Sequence, residues 1–290
     1  VKPAAFEYHR PSSAAEAVEL LAELEDARPL AGGQSLVPML ALRLARFEHL
    51  VDIGRIEEMA GVERRDGSLW IGAITTQAAI ERHPLVAEAV PLLARATAHI
   101  GHLQIRSRGT LGGSLAHADP AAEYPAVALA LGAHLEAQSR RGRRSIAAEE
   151  FFAGLWETAL DDDELLTGVS FPVWSGRCGF AVEEMARRHG DFALAGAAVA
   201  VELDAEDRVA RCGIGLIGLG SSALRAVAAE RAMSGGGVTG LDTEAIGQLA
   251  MADLDAVPSD VHGSSDYRRR VGAVVVARAL GSALQEAARA

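Results

Sequence analysis

Apolar residues in this chain switch between two periods, and the switches mark its elements. After Ser13-Ala-Ala-Glu16, which has the spacing of a helix capping box, Ala17, Val18, Leu20, Leu21 and Leu24 recur at helical intervals. Short apolar runs then predict strands at Pro29–Ala31, Leu50–Ile53 and Leu69–Ile74, with a helix-compatible stretch from Leu36 to Leu44 between the first two. Thr76 is placed to cap a short helix that Pro84 ends, and Leu85 to Ile100 predicts one longer helix with Pro91 near its start. Asp119-Pro120 reads as an N-cap followed by a first-turn proline, opening a helix through Val127 and Leu131 to Gly132. His134–Gln138 and Arg144–Ile146 flank a basic turn as a hairpin, and Leu165–Val173 is a further strand.

Beyond Ser175-Gly176 the texture changes. Phe180–Arg187, Ala195–Leu203 and Val209–Leu219 predict three longer strands; Ser222–Met233, Thr243–Met251 and Ser265–Ala288 predict helices. Strands followed by helices indicate a separate α+β domain. The expected division is residues 1–174, in subdomains of about 1–56 and 57–174, followed by residues 175–290. No internal repeat is visible.

Two glycine-bearing loops interrupt these patterns. One is Ala31-Gly-Gly-Gln-Ser35; the other is Thr110-Leu-Gly-Gly-Ser114, running into His117-Ala-Asp-Pro-Ala-Ala-Glu123. Paired glycines let a backbone approach a ligand without an intervening Cβ, and consecutive N–H groups in such turns form an anion-binding concavity. Two of them suit a pyrophosphate-bridged dinucleotide. Neither spells the G-x-G-x-x-G fingerprint, and neither is followed at the right interval by a ribose-binding acid, which argues against a nicotinamide site of the doubly wound type.

Composition narrows the chemistry. The chain has 290 residues, 49% of them hydrophobic, and a net charge of −11, the wrong sign for a nucleic-acid surface. Lys2 is the sole lysine, so no Schiff-base or phosphate-loop lysine is available inside the fold. Cys178 and Cys212 cannot build an iron–sulfur cluster by themselves and read as free thiols of a cytoplasmic protein. Val274–Leu280 is too short to span a bilayer, and the first residues lack the apolar stretch of a signal peptide. His117 and Asp119 lack a third metal ligand at sensible spacing, so no metal is expected on this chain. No serine or cysteine nucleophile with a paired base stands out, and no catalytic side chain is expected. Glu123 suits either the hydroxyls of a ribose or ribityl chain, or plain stabilisation of a helix dipole. Arg106 and Arg108 suit phosphate steering or a solvated, paired surface.

Taken together, Ala31–Pro38, Ile100–Ser114 and His117–Glu123 resemble the FAD-binding medium subunit of molybdenum hydroxylases, the family of aerobic carbon monoxide dehydrogenase medium chains and of xanthine dehydrogenase. The resemblance extends over nearly the whole chain, including Arg187–Ala193 and the final long helix. It implies an α+β, vanillyl-alcohol-oxidase-type (PCMH-type) FAD-binding fold of two subdomains, with a C-terminal domain of antiparallel sheet and helices. It assigns the pyrophosphate to Ala31, Gly32, Gly33, Gln34 and Ser35 and to Thr110, Leu111, Gly112, Gly113 and Ser114. Ile100 falls near the isoalloxazine, Glu123 in the ribose region, and Leu166 in the strand before the C-terminal domain. Glu183 stands where the xanthine enzymes place a lysine beside the flavin. The implied role is electron transfer: a large subunit with a molybdenum cofactor and a small subunit with two iron–sulfur clusters would complete a dimer of heterotrimers. A stand-alone flavin oxidoreductase and a nicotinamide-dependent dehydrogenase are the competing readings.

Overall fold

The apolar run at Leu50-Val51 forms the middle of a three-stranded parallel sheet, His49–Asp52 between Glu7–His9 and Ala27–Leu30. The computed structural model describes residues 2–290. Helix Ala14–Glu23 connects the first two strands in sequence and buries Ala14, Ala17, Val18 and Leu21, the stripe set by its period. Ser13 caps it by accepting from the Glu16 N–H at 3.1 Å, while Glu16 closes back on the N–H of Ser12.

A five-stranded antiparallel sheet follows, in the order Val62–Arg65, Ser68–Gly72, Leu165–Pro172, His134–Ser139, Gly142–Ala147. Its central strand arrives last in sequence and is buried almost throughout. The expected helix from Leu85 to Ile100 is two helices, Pro84–Ala89 and Pro91–Thr97, broken at Val90. Pro91 has no N–H to continue the first and starts the second instead.

The third sheet is antiparallel, Arg177–Met185, Ala195–Leu203, Val209–Ile217 and Leu224–Arg225 in order. Its alternation decides what covers each face. Ala195, Ala197, Val199 and Val201 pack with Ala279, Leu280 and Ala283 of the terminal helix Ser265–Arg289. Ala198 and Ala200 belong to the core shared with Val127 and Leu131 of helix Glu123–Leu131. Small residues let both helices come close. A Cβ on Gly213 or Gly215 would overlap the carbonyl oxygens of Ala130 and Ala126, and one on Gly179 would overlap that of Ala283. Helix Glu123–Leu131 is therefore buried on every side from Tyr124 onward and ties the C-terminal sheet to the rest of the molecule. Arg95 adds a polar clasp, bidentate to Glu286 at 2.6 and 2.7 Å and donating to the Phe180 carbonyl. The terminal helix is long and apolar enough to cross a membrane, but half of that stretch is buried against the sheet and helix Thr243–Ala250, so it is a core helix.

Candidate flavin site

Strand Ala27–Leu30 ends in the first glycine loop, which leads into the short helix Leu36–Ala41. Gly33 turns the chain with φ +73°, in the left-handed region. Consecutive N–H groups of Gly32, Gly33, Gln34, Ser35 and Leu36 meet no acceptor among the described residues, while the Gly33 carbonyl accepts from Val37 at 3.0 Å. A run of five open donors around a positive-φ glycine is a cradle for a polyanion. It fits a pyrophosphate.

The second loop is built differently. Thr110 caps helix Leu111–His117, its hydroxyl accepting from the Gly113 N–H at 3.1 Å. The N–H of Leu111 donates to Thr75 at 3.0 Å, that of Gly112 to Ala73 at 2.7 Å, and that of Ser114 to Thr110 at 3.1 Å. All four leading donors are thus used within the protein. A Cβ on Gly112 would stand 2.5 Å from Ala73 Cβ, and one on Gly113 would stand 2.7 Å from Thr110 Oγ1. These glycines answer first to protein packing. What this loop leaves for a ligand is hydroxyls: Ser114 Oγ has no partner among the described residues, and Thr110 retains its O–H.

The fold brings the two loops into contact. A Cβ on Gly32 would overlap the Arg108 carbonyl oxygen, and Ala31 Cβ is the next neighbour of a Cβ at Gly113. Arg106 does not steer phosphate: its guanidinium pairs with Glu81 at 3.0 Å and donates to the carbonyls of Ile100 and Gly101 at 2.9 and 3.2 Å. Arg106 thereby fixes the turn that carries Ile100. Ile100 is 8% exposed and belongs to the main core, as does Leu166 at 4%.

Asp119 does not cap the following helix. Its carboxylate accepts from Ala121 at 2.9 Å, the helix starts at Glu123 after Ala122, and Pro120 accepts from the Gly218 N–H at 2.8 Å. That tertiary bond holds residues 119–122 in a turn where local signals favoured helix. Tyr124 is buried and donates to Thr97 Oγ1 at 2.9 Å, while Thr97 donates to the Leu93 carbonyl. Glu123 is thus set beside the segment that ends at Ile100.

One polar group here left no signal in the sequence. His99 Nδ1 lies 3.1 Å from Glu184 Oε2, an ion pair across the junction with the C-terminal sheet. Hydrogen bonding to Glu184 raises the His99 pKa above the usual imidazole range. The other Glu184 oxygen is buried without a partner among the described residues. Burial, then the charge of Glu184, pushes the Glu123 carboxyl up to about 8. The raised pKa favours the protonated carboxyl, which offers an O–H donor as well as acceptors. Glu183, the chain neighbour of Glu184, is half-buried on the same strand. A lone histidine in a turn and the second of two glutamates in a strand look like surface charges until the sheet is docked.

Comparison with known proteins decides the family. Residues 4–174 match the FAD-binding domain of molybdopterin dehydrogenases, and residues 180–283 match the carbon monoxide dehydrogenase flavoprotein C-terminal domain. The chain belongs to the FAD-binding subunits of the molybdenum hydroxylases. It is 41% identical to the alpha subunit of the 6-hydroxypseudooxynicotine dehydrogenase complex of Paenarthrobacter nicotinovorans, over 99% of this chain and 97% of that one. Caffeine dehydrogenase subunit beta of Pseudomonas sp. strain CBB1 is 40% identical over 98% and 96% of the two chains. The structure superposes on a chain of carbon monoxide dehydrogenase from Hydrogenophaga pseudoflava with a TM-score of 0.95 and 38% identity, each covered to 99%. The expected α+β architecture, an FAD-binding domain followed by a domain with antiparallel sheet, is the one observed. The chain is an FAD-binding oxidoreductase subunit.

Proposed function

We propose that this chain accepts electrons on FAD from iron–sulfur clusters of a small subunit and passes them to an external acceptor. The large subunit of the same assembly carries the molybdenum cofactor and the substrate site, and two such heterotrimers pair in the cytoplasm. The observation that carries this reading is the full-length match to a carbon monoxide dehydrogenase chain, in a protein with only two cysteines, neither able to serve a cluster. Cys178 and Cys212 are unpaired, and burial pushes their thiols up to about 11 and about 12, away from the thiolate a cluster needs. In this reading the electrons enter from a partner chain that carries the clusters.

FAD supplies the two-electron chemistry when bound. The residues of this chain bind and orient it. In this reading the open N–H groups of Gly32 to Leu36 hold the pyrophosphate, with Ala31 flanking the contact between the loops. Thr110 and Ser114 add hydroxyls, and Leu111, Gly112 and Gly113 buttress the first loop. Neutral Glu123 donates to a ligand oxygen in the ribose region. Ile100 and Leu166 supply apolar walls that keep water from the ring. Glu183 stands as an acid where the xanthine enzymes place a lysine, and Glu184 beside it pairs with His99. Leu42 and Leu44, 63% and 73% exposed, follow the first loop, and Leu103, 51% exposed, precedes the second. These apolar side chains beside the flavin-binding loops fit a surface covered by the subunit that delivers electrons.

Purification from the native host tests the assembly. Two further chains, with iron and molybdenum in the preparation and flavin released by acid as FAD, are expected. A flavin-loaded protein with full activity on a small substrate and no partner chains would overturn the reading.

A further inference from the structure

Glu7, His9 and His49 converge at the edge of the parallel sheet, at the end opposite the first glycine loop. Glu7 and His9 lie two residues apart on one strand and so point to the same face. Glu7 stands opposite His49 in the parallel register, which puts the His49 side chain on that face too, between the other two. On the opposite face Tyr8 donates to the Asp52 carboxylate, which fixes the orientation of the edge strand. His9 Nε2 lies 3.1 Å from His49 Nδ1; Glu7 Oε2 lies 3.6 Å from His49 Nδ1 and 4.0 Å from His9 Nε2. The imidazoles are 24% and 17% exposed, held by their strands, whereas the Glu7 side chain is 74% exposed and free to swing.

We propose that Glu7, His9 and His49 form a binding site for a divalent transition cation, with zinc as the representative ion. Two imidazole nitrogens bound at about 2.05 Å to a tetrahedral ion are separated by about 3.3 Å, close to the distance seen here. A small rotation of Glu7 brings its carboxylate to the third corner, and water completes the shell. Two imidazoles and one carboxylate favour zinc, nickel or copper over magnesium or calcium, which take all-oxygen sites. In the sequence these ligands are 40 residues apart and show no metal motif; parallel pairing alone assembles them. The ion would staple the three-residue edge strand to the strand beside the one that feeds the first glycine loop. From His49 to Ile53 is about 13 Å of strand, and His49 pairs with Ala27, at the opposite end of the sheet from the first glycine loop.

Calorimetric titration of zinc chloride into the flavin-loaded protein as purified, after dialysis against chelator, tests the site. The parent should bind one zinc per copy of this chain that His49→Gln and His9→Gln lose and Glu7→Gln binds more weakly. Magnesium chloride should give no such heat. Zinc should also raise the melting temperature of the parent by several degrees and leave that of His49→Gln unchanged. Flavin content reports whether each variant is folded. Glu7→Gln alters only an exposed side chain, so it decides the matter if a histidine variant loses flavin. Equal zinc uptake in the parent and the folded variants, or none in the parent, would overturn the proposal.

Discussion

From Gly32 to Leu36 five successive backbone N–H groups are open, whereas from Leu111 to Ser114 the four N–H groups are closed by Thr75, Ala73 and Thr110. The two stretches share a Gly-Gly pair followed within two residues by serine. The first pair brings Gly32 against the Arg108 carbonyl and turns the chain at Gly33 with φ +73°, leaving its backbone donors open. The other makes room for the strand exit at Ala73, and so positions a surface against which the first loop rests. A shared motif therefore does not imply a shared contact. The accounting of backbone donors separates the two roles where the letters do not.

The largest effect should come from the buttress. Gly112→Ala drives a methyl group against Ala73, an overpacking cost of about 1–3 kcal/mol that lowers the melting temperature by roughly 5–10 °C with or without flavin. Calorimetry on both forms measures it. A variant that melts like the parent but sheds FAD would mean that Gly112 serves the ligand after all.

Gly33→Ala should behave in the opposite way. Holding alanine at φ +73° costs about 1–2 kcal/mol, which an empty loop relaxes and a filled one cannot. FAD affinity should fall roughly tenfold while the flavin-free protein melts within a few degrees of the parent. Fluorescence titration of the stripped protein gives the affinity. Unchanged affinity would remove the first loop from the pyrophosphate.

Glu123 extends the comparison to the junction below the second loop. Its folded pKa of about 8 exceeds the 4.5 of an unfolded glutamate. Below 4.5 both states are protonated and nothing is lost. Between 4.5 and 8 the unfolded chain ionises first, so the contribution of this group to stability declines as pH rises, and the full penalty applies above 8. Glu123→Gln should match the parent at pH 4 and melt a few degrees higher than it at pH 9. Parallel melting curves across that range would show that Glu123 is charged in the folded protein.

The smallest effect sharpens the contrast most. If the second loop touches pyrophosphate only through hydroxyls, Ser114→Ala should weaken FAD binding about two- to fivefold, with no change in melting temperature. No change in affinity would leave the second loop as a buttress alone.

Much of this was legible from the residues in order. Strand Ala195–Leu203 and helix Thr243–Ala250 fall where their periods place them, because burial on regular faces imposes regular spacing. The paired glycine loops and the family resemblance they carry point to FAD from the residues alone. Errors occurred where a distant contact outweighed a local preference. Asp119-Pro120 has every mark of a helix start, yet the bond from Gly218 to Pro120 keeps it a turn. For Arg106 the residues leave phosphate steering and a paired surface both open, and only the fold, through Glu81 and the Ile100 carbonyl, selects pairing.

The periods, the breaks, the glycines and the shortage of cysteine and lysine are read from residue order alone, since each is a property of single residues and their spacing. Tertiary structure alone decided which N–H groups stay open, which carboxyl keeps its proton, and which histidines meet. Those outcomes depend on the distance and burial of groups far apart in the chain. Hydrogen bonds and Coulomb forces act through space, and one sequence records no such distances.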